Sequence, residues 1–315
     1  MSAAKKHWAN INEVSFVAGM RLLFAIYRVF GRWPFRVVLY PVLLWYVLTQ
    51  PQARRASLDY LGRVRHYVPV SVGTKGVLRH FASFAESILD KMLLWGGLFK
   101  IEQVAYRGAE QLDRLINDRR GALLICAHLG NLELCRVLAR QHTNMRLTIL
   151  VHTKHARAFN QMLATLDPAS QLNLMQVTEM TPATAMLLSE KIADGEFVVI
   201  AGDRVPVSAQ PRVAMADFLG AQAAFPVGPY VLASILQCPT YLLFSTQHDG
   251  RAEIFFELLR ESVKLPRKNR DDALRPLVTD YAQRLQHHCL RAPLQWFNFY
   301  DFWHLPVLEK NDASR

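Results

Sequence analysis

Residues 121–134 read GALLICAHLGNLEL, and Ala122 to Ala127 form an unbroken apolar run that ends on His128. Such a run without polar alternation is a strand buried on both faces. LTILV at 147–151 and FVVIA at 197–201 have the same character. Between them the apolar residues recur every three or four positions. Helices are therefore expected over Asn131 to Gln141 and Ala156 to Leu166, and a third is bracketed by Thr181 as N-cap, Pro182 at the first helical position and Gly195 beyond its end. Buried strands alternating with helices predict the α/β class, with a mainly parallel sheet covered by helices on both faces.

Further along, TYLLFS (240–245) and EIFFELL (253–259), joined through His248-Asp249-Gly250, read as an antiparallel hairpin on that sheet. A helix from Asp271 to Leu290 and the aromatic tail WFNFYDFW (296–303) follow. Before the first strand, Phe81, Phe84, Ile88, Met92 and Trp95 mark a helix over Thr74 to Phe99.

The chain has 315 residues, 51% hydrophobic and 20% charged, which excludes disorder and collagen-like repeats. Its net charge of +11 points to an anionic partner. Residues 1–65 hold ten Lys and Arg against only Glu13 and Asp59, so +8 of that charge lies where the longest apolar material also lies. Nucleic-acid binders seldom combine the two, so no nucleic-acid partner is expected. On a helix from Val14 to Trp33, Arg21, Arg28 and Arg32 share a narrow sector, Pro34 interrupts, and the run from Val37 to Thr49 is too short to span a bilayer unaided. The expectation is an N-terminal apolar helical membrane anchor, monotopic or tilted, with Trp33, Trp45 and Tyr46 at the interface. Residues 1–50 form this segment and residues 51–315 the catalytic domain; a pair of buried core helices is the alternative. No signal peptide is evident.

Cys126, Cys135, Cys238 and Cys289 form no Cys-x-x-Cys pair and read as buried, reduced thiols. His142, His152 and His155, or the pair His287 and His288, match no closed zinc site, so no metal is expected. The sharpest polar constellation is His128 with Glu133, directly after a buried strand, where open α/β sheets bind ligands. His248 with Glu253 and His304 with Glu309 repeat the spacing without that context. Gly-x-Ser-x-Gly is absent, which argues against a serine hydrolase.

Several blocks in one order carry a resemblance: AHLGNLE (127–133), VHTKHARAFN (151–160), IAGDR (200–204), DFLGAQAAFPVGPYVLA (217–233) and APLQWFNFYDFW (292–303). Together they resemble the bacterial lipid A biosynthesis lauroyl/myristoyl acyltransferase family, within the glycerolipid and lysophospholipid acyltransferase superfamily. The resemblance implies a membrane-associated enzyme on the cytoplasmic face of the bacterial inner membrane. It would move a fatty acyl group from acyl carrier protein, or from coenzyme A, to a hydroxyl of a lipid or glycolipid without a resident cofactor. His128 would accept the hydroxyl proton and Glu133 would fix the imidazole. Oxyanion donors would come from Gly130 and Asn131 or from Arg204; Asp203 would hold Arg204 or form a structural ion pair, and Lys154 would meet a phosphate or stay solvated. Within the 217–233 block, Phe225-Pro226 followed by Gly228-Pro229 would pack a tight turn before a helix, making the block mainly scaffold around the acyl pocket. The closing block departs from the family: Leu294, Asn298, Tyr300 and Phe302 stand where Glu, Trp, His and Arg are common, and the Tyr and Phe in place of His and Arg remove two cationic contacts to an acidic acceptor. Lys264, Arg267, Lys268 and Arg270 form an exposed basic loop, a candidate dock for an acidic carrier protein or a solvated loop. A non-catalytic lipid binder on the same fold and an ester or thioester hydrolase are the competing functions.

Overall fold

The computed structural model describes residues 25–95, 97–98, 104–134, 145–151, 172–176, 181–205, 211–248 and 251–303. In chain order the helices are α1 (Trp33–Thr49), α2 (Pro51–Val64), α3 (Gly73–Trp95), α4 (Ala109–Asn117), α5 (Pro182–Ala193), α6 (Gly228–Leu236) and α7 (Arg270–Arg291). The strands are β1 (Val104–Arg107), β2 (Ala122–Cys126), β3 (Leu147–Val151), β4 (Leu172–Gln176), β5 (Phe197–Ala201), β6 (Val213–Phe218), β7 (Ala221–Pro226), β8 (Thr240–His248) and β9 (Arg251–Arg260). Seven strands make one sheet in the order β1-β9-β8-β2-β5-β3-β4, parallel at every pairing except the β8–β9 hairpin. The expected mainly parallel sheet is present.

Why the central strands are apolar throughout follows from their two faces. Leu123 and Ile125 of β2 pack into a core shared with α2, α5, α6 and α7, while Ala122, Leu124 and Cys126 face Leu112 and Leu115 of α4 and Leu94 of α3. Helices thus cover both sides, and a polar residue at any β2 position would lose its water without gaining a partner. Thr181 caps α5 as expected, its Oγ1 accepting from the Thr184 amide at 3.2 Å. Cys126, Cys238 and Cys289 are buried and in no disulfide among the described residues, and burial pushes the Cys238 thiol up to about 11. Cys135, the helix expected over 156–166, the end of the one expected over 131–141, and Asp249-Gly250 lie outside the described residues.

Short elements escaped the sequence reading. β1, β4 and α4 have four, five and nine residues, too few for a period to stand out. β6 and β7 form a second, two-stranded sheet that the sequence reading did not anticipate, ahead of the tight turn expected at Phe225 to Pro229. Their hairpin turns through Leu219 (φ 50°) and Gly220 (φ 79°), both left-handed. The expected turn does follow, with Pro229 in the first turn of α6.

At the N-terminal end, residues 25–30 are also helical, and the break before α1 falls at Gly31 (φ 65°) rather than at Pro34. Pro34 occupies the first turn of α1, where a missing amide costs nothing. Leu43 and Val47 of α1 pack with Val77, Phe81 and Ala85 of α3, and Arg32 pairs with Glu86 and Asp90 of that helix. Opposite this seam, Trp33, Val38, Val42, Trp45 and Leu48 are exposed. Among the described residues no helix is long and apolar enough to cross a membrane, so a spanning anchor has no support.

Candidate active site

The β2–β5 register builds the site. Cys126 pairs with Ala201, so the two strands end level and the residues two positions further on, His128 and Asp203, emerge side by side. The Asp203 carboxylate is fully buried and accepts from both the His128 amide and His128 Nδ1, each at 2.8 Å. Trp296 Nε1 donates to the same carboxylate at 3.0 Å, and Asn298 Nδ2 reaches it at 3.4 Å. Burial alone would push this carboxyl up; the charge and donors of His128, with Arg204 beyond, outweigh that and hold it below its ordinary range. An ionised Asp203 fixes the tautomer: Nδ1 carries the proton, and Nε2 of the partly exposed ring keeps its lone pair.

The loop itself is stitched to the closing block. Gly130 donates its amide to Gln295 O, Phe297 donates to His128 O, both at 2.8 Å, and Leu129 bridges Trp296 in antiparallel fashion. Gln295 also joins the end of β8, its Oε1 accepting from the Gln247 amide at 2.7 Å. Gly130 has φ 63°, and a Cβ there would stand 2.1 Å from Ser245 O, so both conformation and space require glycine. Leu132–Leu134 is a 3-10 turn, with the Glu133 amide capped by Asn131 Oδ1 at 3.1 Å. Asn131 is buried over a cavity of about 20 Å³ shared with Ser87, Asp90 and Ser245, room for one water rather than for substrate.

These contacts revise the expected roles. The carboxylate on the imidazole Nδ1 is Asp203, not Glu133; Glu133 instead faces the Lys91 ammonium. Asp203 does not hold Arg204 in a direct ion pair. Arg204 is exposed and is aimed by neutral groups, donating from Nε to Asn298 Oδ1 and from NH2 to Phe297 O, each at 2.9 Å. The Gly130 amide is spent on Gln295, while Asn131 Oδ1 caps the loop and its buried Nδ2 has no hydrogen-bond partner among the described residues, so of the expected oxyanion donors Arg204 and Asn131 Nδ2 keep a free donor. Lys154, His142, His152, His155 and His304 lie outside the described residues. His288 is bound to Glu257 at 2.7 Å, and among the described residues no three His, Cys, Asp or Glu are grouped to hold a metal.

The closing-block departures have structural duties. Asn298 is buried and links Asp203 to Arg204, Tyr300 donates toward Asp203 O at 3.4 Å, and Phe302 packs among Phe218, Phe225 and Trp296. A residue the sequence reading passed over is His80, fully buried on α3. Its Nε2 donates to Trp296 O at 3.0 Å and its Nδ1 accepts from Ser57 Oγ at 2.9 Å. Burial lowers its pKa to about 4, so it is a neutral strut behind the tryptophan that holds Asp203. Its place between Val77 and Phe84 on the apolar stripe was the available signal.

The basic loop lies elsewhere. Because β9 runs antiparallel to β8 and Arg260 pairs with Thr240, residues 261–270 leave the sheet at the edge opposite His128. A five-residue strand separates the two edges by roughly 17 Å, which argues against that loop as a dock beside the site.

A family model described as bacterial lipid A biosynthesis acyltransferase matches residues 98–299, a span from just before β1 into the closing block. No curated protein matches the chain at a significant level.

Proposed function

Because the chain belongs to the bacterial lipid A biosynthesis acyltransferase family, its activity is acyl transfer to a lipid acceptor, and we propose that His128 is the general base of that transfer. The observation that carries this is the buried, ionised Asp203 on His128 Nδ1. His128 Nε2 takes the proton of an acceptor hydroxyl as that oxygen attacks the thioester carbonyl carbon. Asp203 stabilises the imidazolium that results, and Arg204 meets the oxyanion of the tetrahedral intermediate. Collapse breaks the carbon–sulfur bond, and the departing thiolate receives the proton from Nε2. No protein nucleophile is required, since the thioester is already activated. Glu133, facing Lys91, sets the charge around the incoming hydroxyl rather than the tautomer of the base.

The donor in this reading is acyl carrier protein or coenzyme A carrying the acyl thioester, the acceptor is a lipid or glycolipid alcohol, and no resident cofactor takes part. Residues 1–50 hold the enzyme on the cytoplasmic face of the inner membrane, with the exposed face of α1 lying in the interface and residues 51–315 carrying the chemistry. Supporting this are Trp33 and Trp45, each 70% exposed on a helix whose opposite side is packed. The test is the fate of the acyl group. With acyl carrier protein as donor and a glycolipid acceptor present, transfer should exceed release of free fatty acid, and His128→Ala should remove transfer while the fold is kept. Release of fatty acid that ignores the acceptor would replace this reading with a hydrolase.

A further inference from the structure

The connection between α2 and α3 and the first residues of the closing block enclose an open cleft of about 680 Å³. That volume lies in the range of small-molecule sites. Arg65 and His66 line the cleft from the end of α2, Arg79 lines it from α3, and Tyr67, Pro293 and Leu294 supply apolar wall. Among the described residues no carboxylate lines it, and neither arginine has a salt bridge or a side-chain hydrogen bond. Leu294, standing where Glu is common in the family, brings no charge to balance them. The 23-residue helix α3 also starts here, at Gly73, two residues beyond Ser71 on the cleft wall, and its first turn carries no acid. Its free amides add to the positive potential of the three side chains.

Two links tie the cleft to the catalytic loop. Arg79, Ser83 and Ser87 follow one another at four-residue steps and so share one face of α3. Ser83 lines the small cavity under Gly130, and Ser87 Oγ donates to Gly130 O at 3.5 Å. Eight residues of helix put Arg79 roughly 12 Å along the axis from that contact. On the other wall, Leu294 directly precedes Gln295, whose carbonyl accepts the Gly130 amide at 2.8 Å. A ligand in the cleft therefore lies beside the loop that carries His128, at the distance of a headgroup rather than of the reacting atoms.

The cations identify the ligand as an anion, and their origin in two elements suits the spread oxygens of a phosphate better than a planar carboxylate. A carrier protein would dock over a broad face of about 800 Å² rather than within a cleft of this size. We propose that the cleft is a subsite for a phosphate on the headgroup of the acceptor lipid, with Arg65 and Arg79 as specificity-determining residues. The proposal rests on His128 as the transfer centre and deepens that reading. The cations missing at Tyr300 and Phe302 are replaced from the α2–α3 connection, and the acceptor is an acidic lipid.

The experiment removes the charge from the enzyme and the phosphate from the acceptor. In the double variant Arg65→Gln/Arg79→Gln both altered side chains are exposed, so its melting temperature should stay within a few degrees of wild type; Arg65→Lys/Arg79→Lys serves as rescue. The acceptors are a phosphorylated glycolipid in neutral-detergent micelles and the same lipid after phosphatase treatment, with acyl carrier protein as the donor. Losing the charge-assisted contacts should raise KM for the phosphorylated acceptor about tenfold or more, with kcat changed far less. The dephosphorylated acceptor should not distinguish the double variant from wild type, KM for the donor should stay constant, and the lysine variant should recover most of the loss. An equal loss with both acceptors, a rise confined to the donor's KM, a loss confined to sedimentation with anionic vesicles, unchanged kinetics, or a melting temperature lowered by several degrees would each overturn the subsite. Binding of the phosphorylated lipid without donor keeps the two readings apart. Wild type and His128→Ala should bind it equally, and the double variant at least about tenfold more weakly. Should the wild-type protein transfer no acyl group, the functional reading fails by itself, and this comparison decides the subsite: the weakened binding upholds it, and equal binding or none overturns it.

Discussion

Asp203→Asn tests the site at its most constrained atom set. The replacement is isosteric, but it exchanges one of two acceptor oxygens for a donor. Oδ2 now accepts from the His128 amide and Trp296 Nε1 at 2.8 and 3.0 Å, and from Asn298 at 3.4 Å, so the amide oxygen will take that side. The NH2 group then faces His128 Nδ1, where Asp203 Oδ1 accepted at 2.8 Å. A donor there forces the proton onto Nε2, and the base is lost while the scaffold stays. By analogy with the same change in serine-protease triads, kcat should fall about 10⁴-fold. Stability should change modestly, since three of the four contacts persist; the lost charge-assisted bond is worth about 2 kcal/mol. Because the carboxyl is depressed in the folded state, its contribution is present above the ordinary carboxylate range and disappears as pH falls through the lower folded value. The asparagine variant should lack that acid-side loss. Steady-state transfer assays and urea melts across pH measure both effects. A variant that keeps more than a tenth of the activity would refute the assignment of Asp203 as the group that sets the tautomer.

Other expectations follow from single contacts. His80 is neutral in the fold down to about pH 4, whereas an unfolded histidine protonates near its ordinary value of about 6.5. Stability should therefore fall with pH across that window, by about 3 kcal/mol in total, and His80→Gln, which keeps a donor for Trp296 O, should flatten the urea-melt profile. Gly130→Ala places its Cβ 2.1 Å from Ser245 O at a left-handed φ and should cost both stability and most of the transfer rate; wild-type activity in this variant would contradict the loop geometry. Replacing Trp33 and Trp45 together by Ala should weaken sedimentation with anionic lipid vesicles about tenfold or more while leaving thermal stability within a few degrees, because both rings are outside the packed seam. Unchanged vesicle binding would place the membrane contact elsewhere.

The fold was legible where periodicity was long. The apolar runs of β2, β3 and β5 and the stripes of α3 and α7 each repeat enough to announce themselves, and Thr181-Pro182 marks its helix by cap chemistry. Elements whose order comes from partners left no such trace: β1 is defined by pairing with β9, and β6–β7 by packing on α7. The site divides the same way. His128 stood out because a histidine closes a buried strand, but its carboxylate partner lies 75 residues along the chain. Spacing favoured the nearby Glu133, whereas only the β2–β5 register brings Asp203 alongside. The replacements Tyr300 and Phe302 looked like lost cationic contacts in sequence; in space Tyr300 is a polar link to Asp203 O and Phe302 packs against Trp296.

The most direct test is mass spectrometry of the product. Purified protein, an acyl-carrier-protein thioester and a lipid A precursor or related glycolipid should yield an acceptor heavier by one acyl group less the hydroxyl proton it replaces. Wild type should form that species and His128→Ala should form it at least about 10²-fold more slowly. Acylated acceptor accumulating at equal rates in both proteins would contradict His128 as the general base, and free fatty acid as the sole product would contradict acyl transfer itself.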